Sequence, residues 1–301
     1  MIRANWGYAM KTNNKSTLVL LLFAACMVMG GCSSSEEAHG TTGDPDEIPF
    51  PTGFLNVGHG GAKDLCPANT IECFRIALDT WSNALEVDLQ VLGDGTLVTY
   101  HDGNTLGQTG EDHDLADLTI EEMKALDAGW DFSPDGDVTH PFRGKGIRVP
   151  TFEEFLTAFP GVPVLLDVKV KTPEMAAALF PFVSETFDKN ARRFVYIKTH
   201  DIELTDRLRS LVPPVQVAFN TFDRILMVIC PALVESLPVT WVDLNPEYVF
   251  PHVVKWTEQK GHILTVSTLD EEEEMSEFLA IEEVDGIVTN RPDLLDSLLH
   301  P

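Results

Sequence analysis

Two carboxylates, Glu86 and Asp88, interrupt the apolar run Ala84-Leu85-Glu86-Val87-Asp88-Leu89-Gln90-Val91. Residues i and i+2 of a strand share a face, so both acids project together while Leu85, Val87 and Leu89 take the other side. The run Val164-Leu165-Leu166-Asp167-Val168-Lys169-Val170 repeats the arrangement with Asp167 and Lys169. Carboxylates withdrawn from water repel one another and lose hydration, so a group of three requires a counter-cation. Oxygen donors alone suit a hard divalent ion, Ca²⁺ or Mg²⁺. The bland readings are a solvated strand face at Glu86 and Asp88 and a local ion pair at Asp167 and Lys169. Two inward polar pairs on successive long strands weigh against both. His59 follows Leu55-Asn56-Val57-Gly58, and His101 follows Leu97-Val98-Thr99-Tyr100. An imidazole, with an ordinary pKa of about 6.5, gives or takes a proton near neutrality.

Such residues need a scaffold that brings strand ends together. Apolar runs at 54–57, 85–92, 162–170, 194–197, 215–219, 241–244, 263–266 and 286–289 read as eight strands. Amphipathic runs at 69–81, 151–159, 173–187, 202–211 and 271–280 read as helices, with less regular connections at 221–237 and 247–260 and a closing helix at 292–299. Strand–helix alternation implies parallel strands with right-handed crossovers. Eight such units over about 250 residues fit an α/β fold, a (β/α)8 TIM barrel, whose chemistry lies at the C-terminal strand ends where both histidines fall. The alternative is an open doubly wound sheet, but no GxGxxG follows the first strand. Residues 100–150, rich in Gly, Asp and Thr with a short helix at 120–126, read as a small insertion after the second strand.

The 301 residues carry 47 acidic and 21 basic side chains, a formal charge of −26. That excess argues against a nucleic-acid partner and against adsorption to anionic lipid by charge alone. Lys11 and Lys15 precede an apolar run of 12 residues at 18–29, and no acid occurs before Glu36. A spanning helix needs ~20 apolar residues, so the segment reads as an export signal. Met29-Gly30-Gly31-Cys32 resembles a bacterial lipobox. The expected organisation is therefore a lipoprotein signal peptide at 1–31, lipidation of Cys32, a polar tether at 32–50 and one barrel at 51–301. Ser33 after the cysteine suggests, by resemblance to sorting signals, an outer-membrane lipoprotein facing the periplasm or the exterior. An oxidising compartment allows a Cys66–Cys73 disulfide, with two small buried thiols as the alternative. The acidic run at 270–274 reads as the solvated first turn of a helix.

Taken in order, these residues resemble the glycerophosphodiester phosphodiesterase family. Its opening His-Arg-Gly is matched by His59-Gly60-Gly61, and its Pro-Glu-Asn-Thr by Pro67-Ala68-Asn69-Thr70. Glu86-Val87-Asp88 supplies Glu-x-Asp, Asp94-Gly95 leads to His101-Asp102, and Asp167-Val168-Lys169 stands for Glu-x-Lys. Pro150-Thr151-Phe152-Glu153-Glu154 is similar to the family's Pro-Thr-Leu-Glu-Glu. Asp285-Gly286-Ile287-Val288-Thr289-Asn290-Arg291-Pro292 is similar to its Asp-Gly-Ile-x-Thr-Asp-x-Pro. The resemblance spans about 54–295.

It implies metal-dependent hydrolysis of a small glycerophosphodiester to sn-glycerol 3-phosphate and an alcohol. His59 and His101 would be the acid/base pair, Glu86, Asp88 and Asp167 the ligands of a divalent cation, Ca²⁺ or Mg²⁺, and Lys169 a phosphate contact. Gly60 replaces the family's Arg, Ala68 its Glu, and Leu264 stands where Trp is frequent. Asp167 is one methylene shorter than the usual Glu, although the related spider-venom-type phospholipase D enzymes also use Asp here. The alternatives are a membrane-apposed phospholipase D-like or sphingomyelinase-like enzyme on intact lipids, and a non-catalytic ligand-binding barrel.

Overall fold

The computed structural model describes residues 50–169, 172–199, 207–208, 210, 215–220 and 240–301. The segment expected to be a signal, Cys32, the expected tether up to residue 49, most of the helix expected at 202–211 and the connection at 221–237 lie outside the described residues.

Nine strands form one sheet: β1 (Leu55–His59), β2 (Ala84–Val91), β3 (Leu97–Thr99), β4 (Val164–Val168), β5 (Val195–Thr199), β6 (Gln216–Phe219), β7 (Trp241–Leu244), β8 (Ile263–Ser267) and β9 (Gly286–Thr289). β1 pairs in parallel with both β2 and β9, which closes the sheet on itself. Eight strands are parallel around this ring, and each coincides with an expected apolar run. The fold is a (β/α)8 TIM barrel.

β3 is the exception. It pairs antiparallel with β2, Leu89 opposite Thr99, through a turn in which Asp94 accepts from Thr96 N at 2.9 Å. His101 therefore does not follow a barrel strand, contrary to the expectation. The hairpin turns the chain back so that Tyr100 N donates to the Asp88 carbonyl at 3.0 Å. The insertion that follows has its own small core, including Leu92, Tyr100, Leu115, Met123 and Ile147.

Around the barrel lie α1 (Ile71–Thr80), α2 (Leu106–Thr109) and α3 (Ile120–Ala125) in the first third, then α4 (Phe152–Ala158), α5 (Pro173–Thr186) and α6 (Lys189–Phe194). α7 (Pro251–Lys260), α8 (Glu272–Leu279) and α9 (Pro292–Leu299) complete the described helices. Their starts are written in the sequence. Thr119 with Glu122 and Thr151 with Glu154 form capping boxes, each satisfying two backbone donors that a helix start leaves unpaired. The six-residue α6 runs directly into β5 and was not expected.

The strand period sorts the core. Leu85, Val87, Leu89, Val164, Leu166 and Val168 face outward and pack under the helices. Leu264 belongs to this outer layer, so its departure from the family pattern does not alter the barrel lining. Inside, Leu55, Val57, Leu165, Tyr196, Trp241 and Val288 fill the lower part of the barrel. Above that plug the lining turns polar: Asp88 pairs in register with Asp167, and Asp167 with Lys198.

Cys66 and Cys73 are joined by a disulfide with Cα atoms 5.3 Å apart. The bridge closes the loop between β1 and α1, whose Thr70 caps α1 by accepting from Cys73 N at 3.2 Å. Closing so short a loop stabilises by about 2 kcal/mol in the chain-entropy picture.

Candidate active site

β1 delivers His59 to the barrel mouth. Its Nδ1 lies 2.6 Å from Asn290 Oδ1. The amide cannot turn over, because Asn290 Nδ2 donates to Asp270 Oδ2 at 2.7 Å and a carboxylate only accepts. Asn290 N and Thr289 Oγ1 also donate to Asp270 Oδ1, at 2.8 and 3.0 Å. With an oxygen facing it, His59 Nδ1 carries the proton, and Nε2 is the ring nitrogen that can accept one. Nε2 lies 3.7 Å from Glu86 Oε2. Burial pushes the His59 pKa below its ordinary value, against the opposing pull of Asp88.

Glu86, Asp88 and Asp167 each present a carboxylate oxygen within 4.8 Å of the others, and all three are buried. Asp88 is held by its neighbours on both sides. Asn69 Nδ2 donates to Asp88 Oδ2 at 2.7 Å, and Asp88 N donates to Asn69 Oδ1 at 3.1 Å. Asn69 sits at φ 57°, a left-handed conformation that asparagine tolerates. Lys169 Nζ reaches Asp88 Oδ1 at 2.8 Å and Asp167 Oδ2 at 2.9 Å. Burial opposes charge on Asp88, but Lys169 outweighs it and holds the carboxyl below the usual range. Lys169 in turn is held above the ordinary lysine range by Asp88, Glu86 and Asp167, which overcome its own burial.

Glu86 differs. Burial, reinforced by the Asp88 charge, pushes its pKa up to about 8. Its Oε1 is buried and accepts no hydrogen bond among the described residues. A buried carboxylate oxygen without a donor, beside two further hard oxygen ligands, fits a divalent cation. Glu86, Asp88 and Asp167, the residues expected from the sequence, are the ones that would hold it.

Two further charged groups complete the centre and were missed. Lys198 Nζ lies 3.2 Å from Asp167 Oδ2, 3.6 Å from Glu86 Oε1 and 3.5 Å from Asp243 Oδ2. Asp243 is fully buried and accepts from Thr265 Oγ1 at 2.8 Å, Ser267 Oγ at 2.9 Å and Asn220 Nδ2 at 3.1 Å. A charge inside an apolar run, the signal that exposed Glu86 and Asp88, was present in both strands. Asp270 was misplaced: the helix begins at Glu272, and Asp270 lies before it, bound to Asn290.

His101 stands at the rim, about half exposed, with Nδ1 2.6 Å from Asp102 Oδ1. Gln90 Nε2 donates to its carbonyl at 2.9 Å, which ties the turn to the strand carrying the carboxylates. The two family departures in the first loop are neighbours. Gly60 has φ 54°, and a Cβ there would lie 3.2 Å from Ala68 Cβ. The two positions at which the chain departs from the family pattern are therefore adjacent.

A family model described as the glycerophosphoryl diester phosphodiesterase family matches residues 59–294. The chain is 27% identical over 257 residues to a glycerophosphodiester phosphodiesterase of Caldanaerobacter subterraneus subsp. tengcongensis, covering 82% of this chain and 98% of that one. It is 26% identical over 261 residues to a Bacillus subtilis protein of the same description, covering 81% and 86%. Among solved structures it is similar to an Oleispira antarctica phosphodiesterase in complex with the product sn-glycerol-3-phosphate. That match has a TM-score of 0.68 and 17% identity, and covers 81% of this chain and 96% of the other.

Proposed function

From the premise that the chain belongs to the glycerophosphoryl diester phosphodiesterase family and is a phosphodiesterase, we propose that it hydrolyses glycerophosphodiesters to sn-glycerol 3-phosphate and an alcohol. The observation that carries this reading is the meeting of His59 with Glu86, Asp88, Asp167 and Lys169 at one end of the barrel. A divalent cation on Glu86, Asp88 and Asp167, Ca²⁺ or Mg²⁺, would supply positive charge at a phosphoryl oxygen.

The protein's own groups account for the proton transfers. His59, kept neutral by burial and with Nδ1 engaged by Asn290, takes a proton at Nε2 from the attacking oxygen, of water or of a substrate hydroxyl. As that oxygen bonds to phosphorus, the bond from phosphorus to the alcohol oxygen breaks. His101, its ring oriented by Asp102, gives a proton to the departing alkoxide. Attack by water yields sn-glycerol 3-phosphate directly; attack by a substrate hydroxyl yields a cyclic phosphodiester, which a water then opens, giving its proton to His101 while His59 returns a proton to the departing ring oxygen. Lys169 holds the phosphate by charge, the role left to it when Gly60 took the place of Arg.

The test is turnover of glycerophosphocholine by the protein with added Ca²⁺ or Mg²⁺, and again with EDTA. Metal-dependent release of choline is expected, and no turnover of any glycerophosphodiester overturns the reading. The lipobox-like N-terminal sequence favours one runner-up, a membrane-apposed enzyme that acts on lysolipid. Cleavage of lysophosphatidylcholine but not of glycerophosphocholine would establish it instead. The N-terminal sequence supports an exported lipoprotein anchored at Cys32. Wild-type protein is then expected with membranes and a Cys32→Ser chain in the soluble fraction; equal partition of both excludes the anchor.

A further inference from the structure

We propose that Lys198 is a positioning residue that makes the metal-loaded centre electrically neutral, so that an anionic phosphodiester can bind; this rests on the phosphodiesterase reading above. Lys198 lies in the same register row as Asp88 and Asp167, one strand further round the barrel. Its side chain is only 8% exposed. On one side its ammonium meets the ligand carboxylates, Asp167 at 3.2 Å and Glu86 at 3.6 Å. On the other it meets Asp243 at 3.5 Å, a carboxylate locked by Thr265, Ser267 and Asn220.

The charges can be counted. Among the described residues, with Glu86 ionised, Glu86, Asp88, Asp167 and Asp243 carry four negative charges against the two positive charges of Lys169 and Lys198. The excess of two equals the charge of one divalent ion. Without Lys198 the loaded centre would be negative, and a phosphodiester would be repelled. A guanidinium at position 60 would relieve that repulsion, but the residue there is Gly60. Lys198 also lies against Asp167 Oδ2, the ligand whose side chain is one methylene short of the family's Glu. It thus acts through the ligands, from beside them.

This account requires metal and phosphate affinity to move in opposite directions when the charge is changed. Ca²⁺ binding is measured by calorimetry on the full chain, followed by binding of sn-glycerol 3-phosphate at saturating Ca²⁺. Lys198→Met is expected to bind Ca²⁺ about 10-fold more tightly, because the ligands lose a competing cation, and sn-glycerol 3-phosphate about 10-fold more weakly. Lys198→Arg is expected to restore both values. Asp243→Asn removes one negative charge from the centre, so it should weaken Ca²⁺ and tighten sn-glycerol 3-phosphate. That variant decides the matter alone if Lys198→Met does not fold. Affinities that fall together, or that do not change, overturn the role of Lys198. Wild-type protein that binds Ca²⁺ but no sn-glycerol 3-phosphate overturns the phosphodiesterase reading itself. Wild-type protein that binds both, with no split in the variants, overturns only the inference.

Discussion

Replacing His59 by alanine is expected to lower kcat at least ~100-fold while leaving the fold and Ca²⁺ binding intact. Among the described residues the imidazole is the group at the end of β1 whose proton-accepting nitrogen faces Glu86, and alanine removes it. Its pH dependence follows from its surroundings. Burial lowers the pKa, so the acid limb of kcat/KM should fall below pH ~6.5, the ordinary histidine value. Asn290→Asp, which restores the family's carboxylate, places a negative charge where the amide oxygen now meets Nδ1 at 2.6 Å. A carboxylate favours the imidazolium, so this variant should move the acid limb to higher pH. The profile is read from initial rates on glycerophosphocholine. A fully active His59→Ala enzyme removes His59 from the mechanism, and an unmoved limb in Asn290→Asp removes the amide from the control of its basicity.

The second large effect is at Glu86. Glu86→Gln is expected to abolish turnover, as EDTA should for wild type, and to remove the rise in Tm expected of wild type with Ca²⁺ or Mg²⁺. The metal-free proteins should differ in the opposite sense. In the folded chain the Glu86 pKa is raised from 4.5 to about 8. Between these values the folded state keeps a proton that the unfolded state has released. The stability associated with that proton is complete below pH 4.5 and is lost as pH rises through 8. Glutamine does not titrate, so in EDTA the variant should keep a higher Tm than wild type above pH 8. Thermal unfolding across pH 5–9, with and without metal, measures both effects. An undiminished metal-dependent rise in Tm would exclude Glu86 as a ligand.

The part of this centre that sequence reading recovers is the part written in the two-residue period of strands. Glu86, Asp88, Asp167 and Lys169 contradict an apolar alternation, and inward placement follows at once. Lys198 and Asp243 obey the same rule, but they sit in strands of five and four residues, where one polar residue looks like a strand end. Asp270 was hidden by its neighbours. Four glutamates follow it, yet its own partner, Asn290, lies 20 residues away on the next strand end. Local composition does not encode such a contact. His101 was found by type and spacing, but its approach was misjudged. A strand of three residues shows no direction in its periodicity, and only the antiparallel pairing of Leu97–Thr99 on β2 reveals the return. The barrel itself was legible because eight apolar runs, each separated by enough chain for a crossover, admit few closed arrangements.

The apolar plug of Leu165, Tyr196 and Trp241 beneath the polar layer fills the lower part of the barrel among the described residues and makes it a cup. Substrate would enter and both products would leave by the same doorway. Under the proposed reaction, a product still seated over Lys169 would stand in the path of the next molecule, and traffic through the mouth would become part of the catalytic cycle.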